Sequence, residues 1–365
     1  MKRILTTAAG LSAVAGAALA GALDRSGQSI AAIFEKGSYV ELSFGAVSPD
    51  VSGNEVAPVG TDASGDMAGD YLQLGTAVKM DLNDRLALAL IYDQPFGAKA
   101  DYPAGTAYYA TGTTAELKTE ALTLMAKYTL PSNISFLGGL RYQTFAAQAS
   151  IPFVASYTAN GDKDGALGYV VGIAYEKPEI ALRVALTYNS KIKHGLATQD
   201  ASLLTGGAFL DSTTSIETPQ SVNLEFQSGI AKDTLLFGSI RWVDWSAFSI
   251  DPANYPPTTP LVSYSGDYTT YNLGVGRRLN ENWSAAVSLG YQKALGGFSS
   301  NLGPSDGQKS IGLAATYSMD NVKISGGVRY LDIGGAQTTL DGAVPSASFA
   351  DSSAIAIGLK VGYTF

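Results

Sequence analysis

The sequence predicts an all-β protein: a transmembrane antiparallel β-barrel of about fourteen strands. Three observations predict this fold. Apolar and small or polar residues alternate along much of the chain, with the two-residue period of a β-strand. Short turns alternate regularly with long connections. Charged residues make up 15% of the chain and hydrophobic residues 46%, whereas a soluble domain carries roughly 25% charged residues.

The last strand, "SAIAIGLKVGYTF" over residues 353–365, shows the alternation most clearly. Small or polar residues and Lys360 occupy one face. We expect the other face to meet lipid, so that Leu359→Arg costs about 2–4 kcal/mol near the bilayer midplane whereas Lys360→Gln costs little. The residues of that apolar face are Ile355, Ile357, Leu359, Val361, Tyr363 and Phe365.

The first twenty residues predict an export signal. Lys2 and Arg3 precede a short apolar stretch, and Ala18-Leu19-Ala20 fits a small-residue cleavage site. We therefore expect a signal peptide at 1–20, and no later segment has the 18 uninterrupted apolar residues of a membrane helix. The chain has no Cys and a net charge of −8, which argues against thiol chemistry and against nucleic acid as a partner.

Alternation and turn residues divide the remaining chain into strands. The expected strands are 37–48, 66–81, 84–95, 115–131, 133–149, 166–177, 179–190, 217–230, 232–248, 264–279, 282–295, 308–319, 321–333 and 352–365. Short turns such as "LPSN" and "SMDN" alternate with long connections near 49–65, 96–114, 150–165, 191–216, 249–263, 296–307 and 334–351. Bacterial outer-membrane barrels have this alternation, with short periplasmic turns and long extracellular loops.

The face opposite lipid lines the barrel interior. It carries few charges, among which we single out Arg141, Arg183, Arg241 and Arg329 as candidates for contacts with substrate or within the lumen. The segment 21–36 precedes the barrel (37–365) and has two alternative interpretations: a short hatch-like plug that pairs its charges with the lumen, or a disordered periplasmic leader. Its candidate residues are Leu23, Arg25, Ile30, Ile33 and Phe34.

Catalysis is not predicted. The single His, His194, falls in an expected outer loop between Lys191 and Lys193, where we expect it to be solvated rather than catalytic. With one His and no Cys the usual zinc sites are implausible, and the chain contains no G-x-S-x-G nucleophile elbow. The expectation is a protein that is not an enzyme, with no metal and no cofactor.

One stretch is more specific: "TPQSVNLEFQSGIAKDTLLFGSIRWVDWSAF", residues 218–248. Its W-x-D-W-S-x-F pattern and the hairpins that follow closely resemble the outer-membrane long-chain fatty acid and hydrocarbon transporter family. The resemblance covers about 218–365, and no "NPA" motif of the family's hatch precedes the first strand. The residues that match the family pattern are Trp242, Asp244, Trp245, Ser246 and Phe248, which we expect to organise a strand and loop base.

The resemblance implies a fourteen-stranded barrel with a hatch in its lumen and lateral release of substrate. It implies passive uptake of hydrophobic molecules, with fatty acids, hydrocarbons, detergent or lipid as bound partners, outer-membrane lipid around the barrel, and a monomer. The alternative is a general or small-solute porin, for which a water-filled, polar channel is required. Burial of each methylene is worth about 0.8 kcal/mol, so an aqueous pore is a poor path for a long acyl chain.

Overall fold

The chain forms a closed β-barrel in a computed structural model, which describes residues 23–257 and 259–365. The expected signal peptide and the first two residues of the 21–36 segment lie outside the described residues. Among the helices that are described, none has the length and apolar character needed to cross a membrane.

Strands account for most of the described chain. In chain order they are β1 (Tyr39–Asp50), β2 (Gly53–Glu55), β3 (Tyr71–Asp81), β4 (Leu86–Asp93), β5 (Gly97–Asp101), β6 (Thr114–Thr129), β7 (Ile134–Ile151), β8 (Tyr157–Lys177), β9 (Leu182–Asn189), β10 (Ile192–Ala201), β11 (Leu210–Thr218), β12 (Ser221–Ala231), β13 (Thr234–Val243), β14 (Ser249–Ile250), β15 (Val262–Ser263), β16 (Tyr268–Arg278), β17 (Trp283–Gln292), β18 (Phe298–Ser299), β19 (Gln308–Met319), β20 (Val322–Ile333), β21 (Ala336–Thr339), β22 (Pro345–Phe349) and β23 (Ser352–Thr364). Short 3-10 helices span Ala31–Phe34, Pro178–Ile180, Leu203–Thr205 and Trp245–Ala247.

The barrel closes because β1 pairs antiparallel with both β3 and β23. Three of its passes consist of two strands each, namely β4 with β5, β9 with β10, and β11 with β12. The wall therefore has fourteen passes, which confirms the predicted fold. The six short turns lie at the same end as Tyr39 and Thr364, which pair with each other; we call this the periplasmic end and the long-loop end the extracellular end.

The two faces of the wall are those that the sequence predicts. On β23, Ile357 is 60% exposed whereas Ala356 is 4% exposed. Phe365 is exposed at the periplasmic end, where its amide N–H donates to the carbonyl of Ser38. Lys360 faces inward in a buried ion pair with Glu41, with Nζ and Oε2 3.2 Å apart. The Lys360→Gln substitution therefore breaks a buried contact, and a small cost is no longer expected.

The sequence misplaced several strand ends toward the extracellular side. β8 begins within the expected loop 150–165, and β10 and β11 fill most of the expected loop 191–216. These extensions rise beyond the apolar band and are polar on their outward face, so the apolar alternation that marks a strand is missing there although backbone pairing continues. One strand is shorter than expected: the strand predicted at 232–248 ends at Val243, and a 3-10 turn follows.

The long loops also pack against one another. β18, β21, β22 and β2 form a small separate sheet at the extracellular end. Tyr109 ties this sheet to neighbouring loops, since its hydroxyl lies 2.6 Å from Oδ1 of Asn301 and 3.0 Å from the hydroxyls of Thr338 and Ser346. The loops in this sector therefore form an ordered cap.

Candidate functional site

The segment 23–36 lies inside the barrel, where a bidentate ion pair fixes it to the wall. The Arg241 guanidinium donates to both carboxylate oxygens of Asp24, at 2.5 and 3.1 Å, and both side chains are buried. Its remaining N–H groups donate to Ser221, Asn223 and Gln28 at 2.8–3.1 Å. The guanidinium is thus satisfied at five acceptors, which is what a buried charge requires.

Apolar residues of the same segment pack toward the periplasmic end. Ile30, Ile33 and Phe34 are buried against small and apolar inward-facing residues of β3, β4 and β6–β9. The Phe34 ring has a cation on two sides: Lys127 Nζ is 4.9 Å and the Arg183 guanidinium carbon 4.8 Å from its centroid. The segment therefore occupies much of the lumen through both polar and apolar contacts.

The wall is broken where this segment meets it. Between β4 and β5, residues Gln94–Phe96 leave the sheet, and the ladder between β3 and β4 ends at the Thr76–Tyr92 pair. The N-terminal segment takes the free edge, because Arg25 N–H donates to the Pro95 carbonyl at 2.9 Å and Gly97 N–H donates to the Leu23 carbonyl at 2.8 Å. Residues 71–75 of β3 thus lack β4 as a neighbour.

The Gln94 side chain bridges this gap. The Leu74 amide N–H donates to Oε1 of Gln94 at 2.9 Å, in place of the missing backbone partner. On the lumen side, Ser26 Oγ donates to Asp93 Oδ2 at 2.5 Å, and the Arg25 guanidinium stacks over the Tyr71 ring at 3.8 Å. The gap is consequently closed by side chains and by the N-terminal segment rather than by a β-ladder.

An apolar cavity of about 110 Å³ lies in the extracellular half of the barrel. Leu23 lines it together with Leu117, Leu196, Ile216 and Ile250. Glu116 lies along the same wall, but its carboxylate is bonded to Lys118 and Gln148. We call this space the outer cavity; its lining resembles that of a ligand pocket, which is largely apolar with few polar groups.

Part of the family pattern lies beside the outer cavity. Trp245 and Phe248 are 1% and 2% exposed, and each lies near the ring of Tyr264, a residue that lines the cavity, with centroids 5.2 and 6.1 Å apart. Trp245 also makes an edge contact with Phe96 at 5.5 Å. These rings connect the outer cavity to the break between β4 and β5.

The other pattern residues organise the loop base. Asp244 accepts a hydrogen bond from Gln220 at 2.8 Å, and the Ser246 amide N–H donates to Asp267 at 3.0 Å. Trp242 is part of β13 and is only partly buried. These contacts fix the turn that carries Trp245 into the barrel.

A second cavity, of about 210 Å³, lies on the other side of the N-terminal segment. Ser26, Ser29, Ala31 and Ala32 of the segment line it, as do Arg183 and Glu225. It extends to Leu74, Gly75 and Asp93 at the gap in the wall. We call this space the lower cavity; the segment 23–36 separates it from the outer cavity.

The candidate arginines do not form one site. Arg141 donates to Thr123 at 2.8 Å and to Asn189 at 2.9 Å, and Arg329 donates to Asn272 and Ser288 at 3.2 and 3.4 Å. Arg141 and Arg241 share one hydrogen-bond network, because Asn189 accepts from Arg141 and donates to Ser221, which also accepts from Arg241. Arg241 alone among the four binds the N-terminal segment through hydrogen bonds. Within the described residues there is no cluster of three or more His, Cys, Asp or Glu suited to a metal.

The expectation for His194 is wrong. It lies in β10, not in a loop, and is 1% exposed. Its Nδ1 is 3.0 Å from Asp164, and burial lowers the pKa of the imidazole although the carboxylate opposes that shift. Its neighbours Lys193 and Gly195 face outward, but neither is the kind of large apolar residue that contacts lipid. His194 therefore lies in the extracellular extension, beyond the apolar band.

Sequence reasoning also missed the gap itself. The expected strand 84–95 ran into Pro95, and a proline within a strand pattern indicates an edge or an interruption because it cannot donate to a ladder. Gly97 is a second signal, because a glycine within a strand pattern often marks a close approach of another group. A Cβ at this position would lie 2.5 Å from the Arg25 guanidinium carbon. Together "QPFG" marks the point where the segment enters the wall.

Comparisons with known proteins agree with this architecture. The sequence profile described as outer membrane protein transport protein (OMPP1/FadL/TodX) matches residues 8–365, and a search of curated proteins finds no match. The chain resembles the crystal structure of a Pseudomonas aeruginosa FadL homologue, with a TM-score of 0.77, 15% identity, and coverage of 99% of this chain and 98% of that one.

Two toluene transporters have similar structures. That of Ralstonia pickettii, TbuX, has a TM-score of 0.66 at 13% identity, covering 98% of this chain and 99% of that one. That of Pseudomonas putida, TodX, has a TM-score of 0.64 at 12% identity, covering 90% of each chain. At these identities the likeness concerns the fold.

Proposed function

Since the chain belongs to the outer membrane protein transport family (OMPP1/FadL/TodX), and is an outer-membrane β-barrel, we propose that it admits hydrophobic small molecules through a plugged lumen and releases them sideways into the bilayer. Long-chain fatty acids and hydrocarbons, including monoaromatics such as toluene, are the proposed substrate class. The segment 23–36 is the proposed plug. The proposed acceptor of the released molecule is the lipid of the outer membrane.

The outer cavity supports hydrophobic capture. Its aliphatic lining offers a solute about 25 cal/mol for each Å² of apolar surface taken from water. A cavity of roughly 150 Å³ with such a lining takes up benzene in another protein, so the outer cavity has the scale of one ring or a few methylenes. A longer acyl chain has to extend past Leu23 when it enters the outer cavity.

The observation that carries the proposal is the gap between β3 and the β4–β5 break. There the described wall lacks a continuous β-ladder and adjoins both the lower cavity and the N-terminal segment. A solute that reached the lower cavity would find Leu74, which is 41% exposed on the outward face, at the exit. Sideways release avoids transfer of the solute into water, which is the unfavourable step for a hydrophobic molecule.

Uptake in cells that lack their own transporter tests the proposal. Labelled oleate and labelled toluene are supplied to cells with and without this protein, beside a labelled hydrophilic sugar. We expect entry of at least one hydrophobic solute and no gain in sugar entry. Sugar entry without oleate or toluene entry would make the protein a porin.

An engineered disulfide tests the lateral step. The chain has no Cys, so Leu74→Cys with Gln94→Cys introduces one pair, at positions that the β3–β4 register places opposite each other across the gap. We expect the oxidised variant to lose uptake and a reductant to restore it. The control pair Val78→Cys with Leu90→Cys joins residues already paired in the ladder and should transport in both redox states. Normal uptake through the oxidised gap pair would rule out this exit.

A further inference from the structure

Arg277 is a cation on the lipid-facing side of the barrel wall. It lies near the periplasmic end of β16, on the outward face that it shares with Tyr271, Leu273 and Val275. Those three side chains are 39–51% exposed, and Leu279, two residues beyond Arg277, is 62% exposed. Apolar residues therefore precede and follow the guanidinium along the same face.

An aromatic pair marks the periplasmic edge of this part of the wall. The ring centroids of Trp283 and Tyr317 lie 5.1 Å apart, and such rings are enriched where a barrel meets the headgroups of the bilayer. Leu279 lies opposite Trp283, since its amide N–H donates to the Trp283 carbonyl, whereas Arg277 lies opposite Ala285. Arg277 is therefore one outward-facing position nearer the bilayer midplane than the aromatic pair.

A cation at this depth requires a countercharge. A charged group on the lipid face becomes more costly with depth, and a long side chain lowers that cost by extending its charged end toward the interface. Among the residues that the structure describes, none forms a hydrogen bond or an ion pair with the Arg277 side chain. The acidic residue of the adjoining turn, Asp233, is paired with Arg278 at 2.6 Å. The Cα partners of Arg277 on the two neighbouring strands, Thr234 and Ala285, carry no charge. The countercharge must then come from the membrane.

A second cation lies beside Arg277 on its periplasmic side. Lys232 is exposed in the turn between β12 and β13, and its carbonyl accepts a hydrogen bond from Oγ1 of Thr234, the strand partner of Arg277, at 3.1 Å. A guanidinium binds two phosphate oxygens at once through its planar fork, and an ammonium adds a point charge. Two neighbouring cations favour a headgroup with net negative charge over one that carries its own ammonium, because like charges repel.

We infer that Arg277, together with Lys232, binds the phosphate of an anionic phospholipid in the periplasmic leaflet. The acyl chains of this lipid extend toward the midplane along Val275 and Leu273, which lie on the same outward face. Binding supplies the countercharge that the protein lacks. The site is on the outer surface of β16, away from the lumen and from the gap beside Gln94, so it goes beyond the proposed function.

Native mass spectrometry of the intact protein, released from detergent, tests the inference. The protein is titrated with dioleoylphosphatidylglycerol and, separately, with dioleoylglycerol, which has the same acyl chains and no phosphate. We expect Arg277→Gln to weaken binding of the first phosphatidylglycerol about tenfold or more, through loss of the charge-assisted phosphate contact, and to leave dioleoylglycerol binding unchanged. Arg277→Lys keeps the charge without the fork and should fall between.

Three controls separate the explanations. Arg85→Gln removes an exposed cation from another periplasmic turn and should bind both lipids as the parent does. Inorganic phosphate at the same concentration should not displace phosphatidylglycerol, and phosphatidylethanolamine with the same acyl chains should bind less tightly.

Five outcomes would each overturn the inference. They are unchanged phosphatidylglycerol binding by Arg277→Gln, the same loss in Arg85→Gln, an equal loss of both lipids, displacement by inorganic phosphate, and phosphatidylethanolamine binding as tight as that of phosphatidylglycerol. A dimer of the parent that Arg277→Gln dissociates would also overturn it, because a second copy of the chain would then cover this face.

Discussion

Removal of the Asp24–Arg241 ion pair should release the plug. Both side chains are buried, so Arg241→Gln leaves a carboxylate without a countercharge in the lumen. Loss of one partner of a buried pair costs about 3–5 kcal/mol. Asp24→Asn should cost less, because Arg241 keeps its bonds to Ser221, Asn223 and Gln28.

The free-energy cost of losing the ion pair determines how often the N-terminal segment is released. At about 3 kcal/mol, and with a factor of ten for each 1.4 kcal/mol, the released plug becomes roughly 100-fold more populated. The segment 23–36 retains its apolar contacts around Ile33 and its backbone bonds to Pro95 and Gly97. Release therefore remains reversible, and the expected signal is intermittent opening rather than a permanent pore.

Single-channel recording in planar bilayers measures this population as the fraction of time spent open. Arg241→Gln should open most often, Asp24→Asn less, and the double variant less than Arg241→Gln because it removes the unpaired charge. Glu217→Gln serves as the control, since it breaks the outward-facing pair with Lys191, and exposed pairs contribute about 0–1 kcal/mol. If both Asp24→Asn and Arg241→Gln stay as closed as Glu217→Gln, the ion pair does not hold the plug.

Three further predictions concern the wall and the loop base. Leu359→Arg places a cation on the lipid face and should cost about 2–4 kcal/mol near the midplane, measured as the folded fraction in lipid; full assembly would contradict the assigned faces. Trp245→Ala should cost about 3–5 kcal/mol in thermal unfolding and Trp242→Ala clearly less, since only Trp245 is fully buried; equal losses would argue against the aromatic cluster as a packing centre. Because burial lowers the folded-state pKa of His194, its contribution to stability is complete above about 6.5, the unfolded value, and falls as the pH drops below that value. Hydrogen-exchange protection factors in β10 and β11, which are corrected for the intrinsic pH dependence of exchange, should therefore fall on acidification, and an identical fall in His194→Gln would assign it to another group.

The fold could be predicted from sequence because its evidence is local. The alternation at 353–365 and the order of short turns and long loops depend on neighbours along the chain, since successive side chains of a strand point to opposite faces. The same rule placed Arg141, Arg183, Arg241 and Arg329 on the inward face. It failed for β10 and β11, where no apolar band marks the strand.

What the sequence determined, then, was the barrel, its faces, its two kinds of connection and the inward direction of the four candidate arginines. Only the tertiary structure decided which groups meet across the lumen. Asp24 and Arg241 are 217 residues apart, and Arg183 contacts Phe34 from a pass far along the wall. Such contacts depend on the register and closure of the whole sheet, which no local period encodes. The gap beside Gln94 has the same origin: Pro95 signals an interruption, but the position of the N-terminal segment against it follows from the closed barrel.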